Sequence, residues 1–482
     1  MRISEYYKLN KTQPSLPFLD VDIRNDVKLF VNARAINELN SEWGDHCQDL
    51  LQDFFAELIK GIKSGDDARA IMLLSHLREP NETHLGLSQG RSEGRGLGPA
   101  KAEQIWRSFR SSKAVKTGML TDLEDTVLLI DGISVDILSD IITNIIRGPL
   151  IGFTQSICNE YGIPLAKDVE SGPVWNMKTK SWDNDYVPLP VPNDEKLLLV
   201  PKSIVRLSMD YNISTYYRHY VLERLKEEEK EKNSSLVHIL QSGERKGEKR
   251  VYKTELMAKY GKQEKAVSIE QTDRHPDLLA QYKADHSHPT PALTHKQIAD
   301  AQGTEPPEWE KLLAAVTELE PGKRHAYQYE DAIVDLLYAL FYPVLVDPET
   351  QTPIHDGLKR VDITFTNYAL SGFFEWLARH YPSPYVFIEC KNFGNEIGNP
   401  EIDQMAMRLA KRRGRFGLVV CRKIDDPEKM LKRCQAVAKD DHGFIIVLDD
   451  DDLKQLVEEA KVVFPATYEF PTLQRKFKEL VF

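Results

Sequence analysis

Between Lys323 and Phe482, helical and strand patterns alternate, and this alternation constrains the fold more than any other feature of the chain. Ile333, Val334, Leu336, Leu337, Leu340 and Phe341 make one helix face. Arg360–Thr366 (RVDITFT) alternates as a strand, and Tyr385–Phe393 (YVFIECKNF) reads as another. A helix over Pro400–Arg413, a strand over Phe416–Cys421, a helix over Pro427–Ala438, a strand over Gly443–Leu448 and a helix over Leu453–Ala460 complete the order. That order predicts an α/β domain, a sheet with helices on its faces.

The chain has 482 residues, enough for two or three domains. Residues 1–222 read as a mainly helical region that senses, regulates or oligomerises. Trp43, Cys47, Leu50, Leu51, Phe54 and Leu58 form one apolar helix face; Ile137, Leu138, Ile141, Ile142, Ile145 and Ile146 form a second, with Ser134 as its cap. Leu197–Val200 reads as a short strand ending at Pro201. Residues 223–322 read as a charged helical linker, because nine acidic and twelve basic residues between Glu223 and Lys265 cannot build a core. Residues 323–482 form the α/β domain. The formal charge of −11 removes a whole-chain basic signature, so nucleic-acid binding would need a local patch. Five scattered cysteines with no CxxC pair suit a reducing cytoplasm and disfavour a cysteine-built zinc site. The start MRISEYYKLNKTQ lacks the apolar core of a signal peptide, and no apolar run reaches the ~20 residues that cross a bilayer. A cytoplasmic protein without a membrane partner is expected.

The chemistry concentrates in Ile388-Glu389-Cys390-Lys391. On a strand, residues i and i+2 share a side, so Glu389 and Lys391 project together. Burying that carboxylate and ammonium without partners is costly. The preceding strand adds Asp362 between Val361 and Ile363. Two hard carboxylates on neighbouring strands suit Mg²⁺, with the Cys390 carbonyl as a further ligand and Lys391 beside the attacking water. Asp362 followed by Glu389-Cys390-Lys391 resembles the PD-(D/E)xK nucleases of the restriction-endonuclease-like superfamily. Glu330 matches that family's glutamate on the first core helix, and Gln404 matches the glutamine of its Mrr-like branch. The resemblance covers the last third of the chain. It implies a mixed sheet flanked by helices and a Mg²⁺-dependent DNA endonuclease (Mn²⁺ substituting). Its catalytic residues would be Asp362, Glu389, Lys391, Glu330 and Gln404, and by analogy it would serve prokaryotic defence against phage or foreign DNA. Val361 stands where the motif name has proline. The step from Asp362 to Glu389 is long for a hairpin, so Ser371–Tyr381 is expected to be an extra helix.

Past the motif, Gln404, Arg408 and Lys411 are spaced along one face of the expected helix. Arg412, Arg413 and Arg415 follow, with Gly414 as the stop and Asn399 as the cap. These cations read either as a phosphate-gripping ridge or as charges against a helix C-terminus. The segment Arg91–Lys116 holds seven Lys/Arg against two Glu, with Arg95 and Lys101 in GRGLGPAKAEQIW. It resembles half of a helix-hairpin-helix motif that grips a nucleic-acid backbone, and it also reads as an ordinary loop and helix cap. RNA cleavage, branched-DNA repair and a catalytically silent DNA-docking module remain alternatives to DNA cutting. A homo-oligomer is expected, because cutting both strands needs two sites or two nicks.

Overall fold

Ser41 opens the longest helix, α1 (Glu42–Ser64): its hydroxyl accepts the Gly44 N–H at 3.1 Å, and Gly65 ends the helix at φ +74°. The computed structural model describes residues 1–39, 41–87, 99–118, 120–241, 246–286, 291–354, 359–462 and 468–482. Cys47, Leu50, Leu51, Phe54 and Leu58 are buried along α1, as the spacing requires. Helix α2 (Val135–Ile145) is capped by Ser134 and leads into α3 (Arg147–Tyr161). Leu197–Val200 is buried but joins no ladder. Leu198 N–H goes to the Glu82 carbonyl at 2.7 Å and Leu199 N–H to the Thr154 hydroxyl at 2.9 Å, so each residue finds a separate partner.

Residues 223–322 do not run as a solvated linker. Helix α4 (Glu264–Arg274) buries Val267, Ser268, Gln271 and Thr272, and the Thr272 hydroxyl bonds the Tyr216 hydroxyl at 2.7 Å. The charges satisfy one another instead of demanding water: Glu229 is buried and meets Lys259 at 2.6 Å, and Glu228 meets His275 at 2.7 Å. Sparse apolar residues (Leu225, Leu256, Leu278, Tyr282) dock the helices onto the common core.

The C-terminal region is mixed α/β. Its elements are α5 (Ala326–Phe341), β1 (Leu345–Ile354), β2 (Lys359–Asn367), α6 (Gly372–His380), β3 (Tyr385–Lys391), α7 (Asn399–Ala406), β4 (Phe416–Cys421), α8 (Pro427–Lys439), β5 (Phe444–Leu448), α9 (Asp450–Val462) and α10 (Pro471–Val481). The sheet order is β5-β4-β3-β2-β1. β1, β2 and β3 pair antiparallel, whereas β3, β4 and β5 pair parallel, so central β3 has one neighbour of each kind. One face packs Ile363, Phe365, Ile388 and Leu418 against α5; the other packs Phe387, Val419 and Cys421 against α7 and α8. The expected extra helix is α6, whose Phe373, Phe374 and Leu377 are buried beside the sheet. Asp449 caps α9 by accepting the Asp451 and Asp452 N–H groups at 3.1 and 3.0 Å. Helix α10 was not assigned from sequence.

Helix α7 ends at Ala406, not at Arg413, and begins after Gly398 rather than after an Asn399 cap; the Glu401 carboxylate accepts the Gly398 N–H at 2.8 Å. The chain then returns in a turn closed by the Ala410–Gly414 bridge. Gly414 has φ +139°, and a Cβ there would lie 2.5 Å from the Tyr385 carbonyl oxygen, so only glycine fits where the turn meets β3.

One apolar cluster runs from Ile3 to Phe477 and joins the N-terminal region to α5. At this junction His295 is half-buried; its Nε2 bonds the Ala339 carbonyl at 2.8 Å, which makes Nε2 the protonated nitrogen. Burial, with Lys202 adding to it, pulls His295 from 6.5 down to about 3. Between those two values the unfolded chain binds a proton that the native state refuses, so stability falls as pH drops from 6.5 towards 3. The contribution approaches about 1.4 kcal/mol per pH unit. Urea denaturation from pH 7 to 4 is expected to show a shallower acid loss in His295→Gln than in the parent; identical slopes would refute this assignment.

Candidate functional site

Strand β3 carries the two charged residues at its C-terminal end, on the face shared with Phe387. Lys391 Nζ lies 3.0 Å from Glu389 Oε2, so the side-by-side projection expected of i and i+2 is present. The register Ile363–Ile388 to Thr366–Tyr385 brings β2 antiparallel to β3 and sets Asp362 next to Glu389. There the ladder gives way to a side chain: the Cys390 N–H donates to Asp362 Oδ2 at 2.9 Å. Val361 belongs to the apolar cluster of Phe387, whereas Ile363 belongs to that of Ile388. The pairing of β2 with β3 stops at Ile363, and beyond it the Asp362 carboxylate, not the backbone, meets the Cys390 peptide. Asp362, Glu389 and Lys391 thus surround one peptide group.

Glu389 is fully buried, and a buried carboxylate needs compensating charge. Lys391 supplies part of it. Arg408 supplies the rest, its guanidinium meeting Glu389 Oε1. Burial lowers the Arg408 pKa below its ordinary value, against the opposing effect of Asp362. Arg408 is therefore a buried partner of the motif rather than part of an exposed ridge, because α7 stops short of it and the return turn carries it to the sheet. Lys411 and Arg412 are exposed on that turn. Arg413 donates to the Arg408 carbonyl at 3.2 Å, and Arg415 is tied to Asp441. The cations do not form one helical row. Gln404 lies partly exposed on α7.

Glu330 stands on α5 and accepts from Gln351 Nε2 of β1 at 2.7 Å. Burial first, then the charges of Asp362 and Asp331, raise its pKa above the ordinary range, while Gln351 and Lys391 oppose the shift. Helix α5 packs against both β1 and β3, and the Gln351 bond fixes Glu330 to β1. Burial, with Asp362 and Glu330 adding to it, holds the Cys390 thiol well above its usual value, so it stays protonated. Sequence reasoning missed the role of Asn392. Its side chain donates to the Glu320 and Gly322 carbonyls at 3.2 and 3.1 Å, tying the end of β3 to the turn that precedes α5.

Among the described residues no three His, Cys, Asp or Glu side chains form a metal-holding group. The donor set is two carboxylates, Asp362 and Glu389, with the Cys390 carbonyl next to them. Mg²⁺ usually takes one or two carboxylates and keeps several waters, so the donor chemistry fits a small hard cation. Arg408 and Lys391 already balance Glu389, and any such cation would share it with them. Of the expected nucleic-acid contacts near the N-terminus, Arg95 lies outside the described residues, and Lys101 falls in helix Pro99–Ser111.

A family model described as a domain of unknown function (DUF8370) matches residues 8–212, a span that excludes this site. No curated protein and no solved structure matches the chain. Among the described residues no helix is long and apolar enough to cross a membrane.

Proposed function

We propose that the C-terminal region is a Mg²⁺-dependent endonuclease acting on DNA. The observation that carries this reading is the gathering of Asp362, Glu389 and Lys391 around the Cys390 peptide, at the end of a strand with one parallel and one antiparallel neighbour. Asp362 and Glu389 would hold the ion. A bound Mg²⁺ would supply Lewis acidity and a more acidic water. Lys391 offers an ammonium to charge that develops on the phosphoryl oxygens. The Glu330–Gln351 hydrogen bond ties helix α5 to strand β1. Lys411 and Arg412, exposed on the turn beyond Arg408, are available to backbone phosphates.

The pairing of Arg408 with Glu389 favours a second reading, a DNA-docking module in which this arginine replaces the metal. One assay separates the two. Purified protein is expected to nick or cut supercoiled plasmid with Mg²⁺ or Mn²⁺ and to leave it intact with EDTA. DNA binding without cleavage under any divalent ion would replace the enzyme by the docking module. Cleavage of RNA alone would redirect the substrate and keep the site.

A further inference from the structure

The proposed nuclease chemistry leaves unused a cleft of about 920 Å³ in the N-terminal region. It lies between α1, helix Ala33–Asn37 and residues 120–124, and its volume is within the range of small-molecule sites. All its lining falls within residues 8–212, the segment matched by the family model. One stripe of α1 forms its long wall, with a gradient of chemistry along it: Gln48 and Gln52 first, then Phe55 and Ile59, then Lys60 and Lys63. These residues recur at helical spacing, and at 1.5 Å per residue the stripe runs about 12 Å from Gln52 to Lys60 and about 16 Å to Lys63. Asn37, Gln48 and Gln52 have no hydrogen-bond partner among the described residues, so their donors and acceptors are available to a ligand.

Glu124 also lines the cleft. No other residue hydrogen-bonds its side chain among the described residues; burial, with Asp122, Asp125 and Asp210 adding to it, pushes it up to about 7 against the opposing effect of its own backbone N–H. A carboxyl in a wall whose one donor is its own backbone N–H is stabilised by a ligand that brings further N–H groups. The acidic groups also repel a phosphate, which directs any anionic end of a ligand to Lys60 and Lys63. Lys63 has no ion-pair partner among the described residues, and Lys60 has only Glu57, at 3.3 Å in an exposed pair.

We propose that this cleft binds a nucleoside phosphate. The base edge meets the amides and Glu124, the flat ring lies on Phe55 and Ile59, and the phosphate reaches Lys60 and Lys63. A simple amine would satisfy Glu124 and ignore the lysines; a free phosphate would do the reverse. This site is independent of the nuclease reading, and its test reads binding rather than cutting.

The probes are AMP, GMP, CMP and UMP with their nucleosides, titrated into the full chain by calorimetry and followed by thermal melting. At least one monophosphate is expected to bind with Kd below about 1 mM, and its nucleoside about tenfold more weakly. Replacing both lysines (Lys60→Ala with Lys63→Ala), which lie on the exposed end of α1, is expected to erase the difference between nucleotide and nucleoside. Glu124→Gln is expected to weaken the preferred base about tenfold relative to the others. Absence of binding by all four monophosphates, or binding that neither variant changes, would overturn the proposal.

Discussion

Lys391→Ala is expected to reduce plasmid cutting by about 10²–10³-fold, the loss typical when a group that stabilises developing charge is removed. Its unfolding free energy should move little, because Glu389 keeps Arg408 as a counter-charge. Glu389→Ala behaves differently. It removes the carboxylate that two poorly exposed cations share, Lys391 at 13% and Arg408 at 8% side-chain exposure. Leaving buried charge uncompensated costs about 3–5 kcal/mol. Glu389→Ala should therefore lose both activity and stability, and a loss of cutting in that variant alone would not separate chemistry from folding. Two measurements decide the matter: plasmid cutting with Mn²⁺, and urea denaturation. Adding Arg408→Ala to Glu389→Ala should restore part of the stability and none of the activity, because each single change leaves the other charge unpaired. Full activity in Lys391→Ala refutes the assignment of the ammonium. A Glu389→Ala variant within about 1 kcal/mol of the parent refutes the buried ion pairs.

The residues of this site differ in how far they could be read from the chain. Glu389 and Lys391 were legible because a strand has a period of two, and apolar Ile388 and Cys390 mark the intervening positions. Asp362 was legible as a residue on the neighbouring strand, but not its bond to the Cys390 amide, which depends on the β2–β3 pairing stopping at Ile363. Arg408 was misplaced. Local propensity in RLAKRRGR favours continuing the helix to Gly414, and the chain leaves it eight residues earlier. A tertiary contact overrides that propensity: Gly414 is seated against the Tyr385 carbonyl, and Glu389 draws Arg408 inward. The charged stretch after Glu223 misled for a related reason. Composition reports how many charges a segment carries, not whether they meet one another, and Glu229 with Lys259 shows that they do. In α1 the apolar face was evident, while the amide-to-lysine stripe became a wall only once residues 120–124 and 210–211 closed over it.

Expressed alone, residues 323–482 are expected to fail to form a stable fold, although the sequence divides there. Helix α5 explains why. Its first turns carry Glu330, and its far end enters the N-terminal region. Lys202 is fully buried, with Nζ 4.1 Å from the ring centroids of both Tyr338 and Tyr342. It donates to the Pro14 carbonyl at 2.9 Å, and burial drives its pKa well below the ordinary value. Lys11 bonds Asp335 at 2.6 Å, and the Tyr368 hydroxyl donates to Glu38 at 3.1 Å. Without residues 1–322, Tyr338, Tyr342 and Tyr368 would face water. Returning half the surface of three such rings, roughly 300 Å² at about 25 cal/mol per Å², costs about 7 kcal/mol. That is comparable with the whole stability of an ordinary domain. Near-UV circular dichroism and urea denaturation of the fragment check this, and a cooperative transition with native-like aromatic signals would refute it. In the full chain, Lys202→Ala should cost about 2–4 kcal/mol by opening a cavity between the two rings and leaving the Pro14 carbonyl without its donor. Lys202→Met should cost less, because it retains the volume and removes a buried charge. The difference between these two variants separates packing from charge at the contact through which the N-terminal region supports the helix of Glu330.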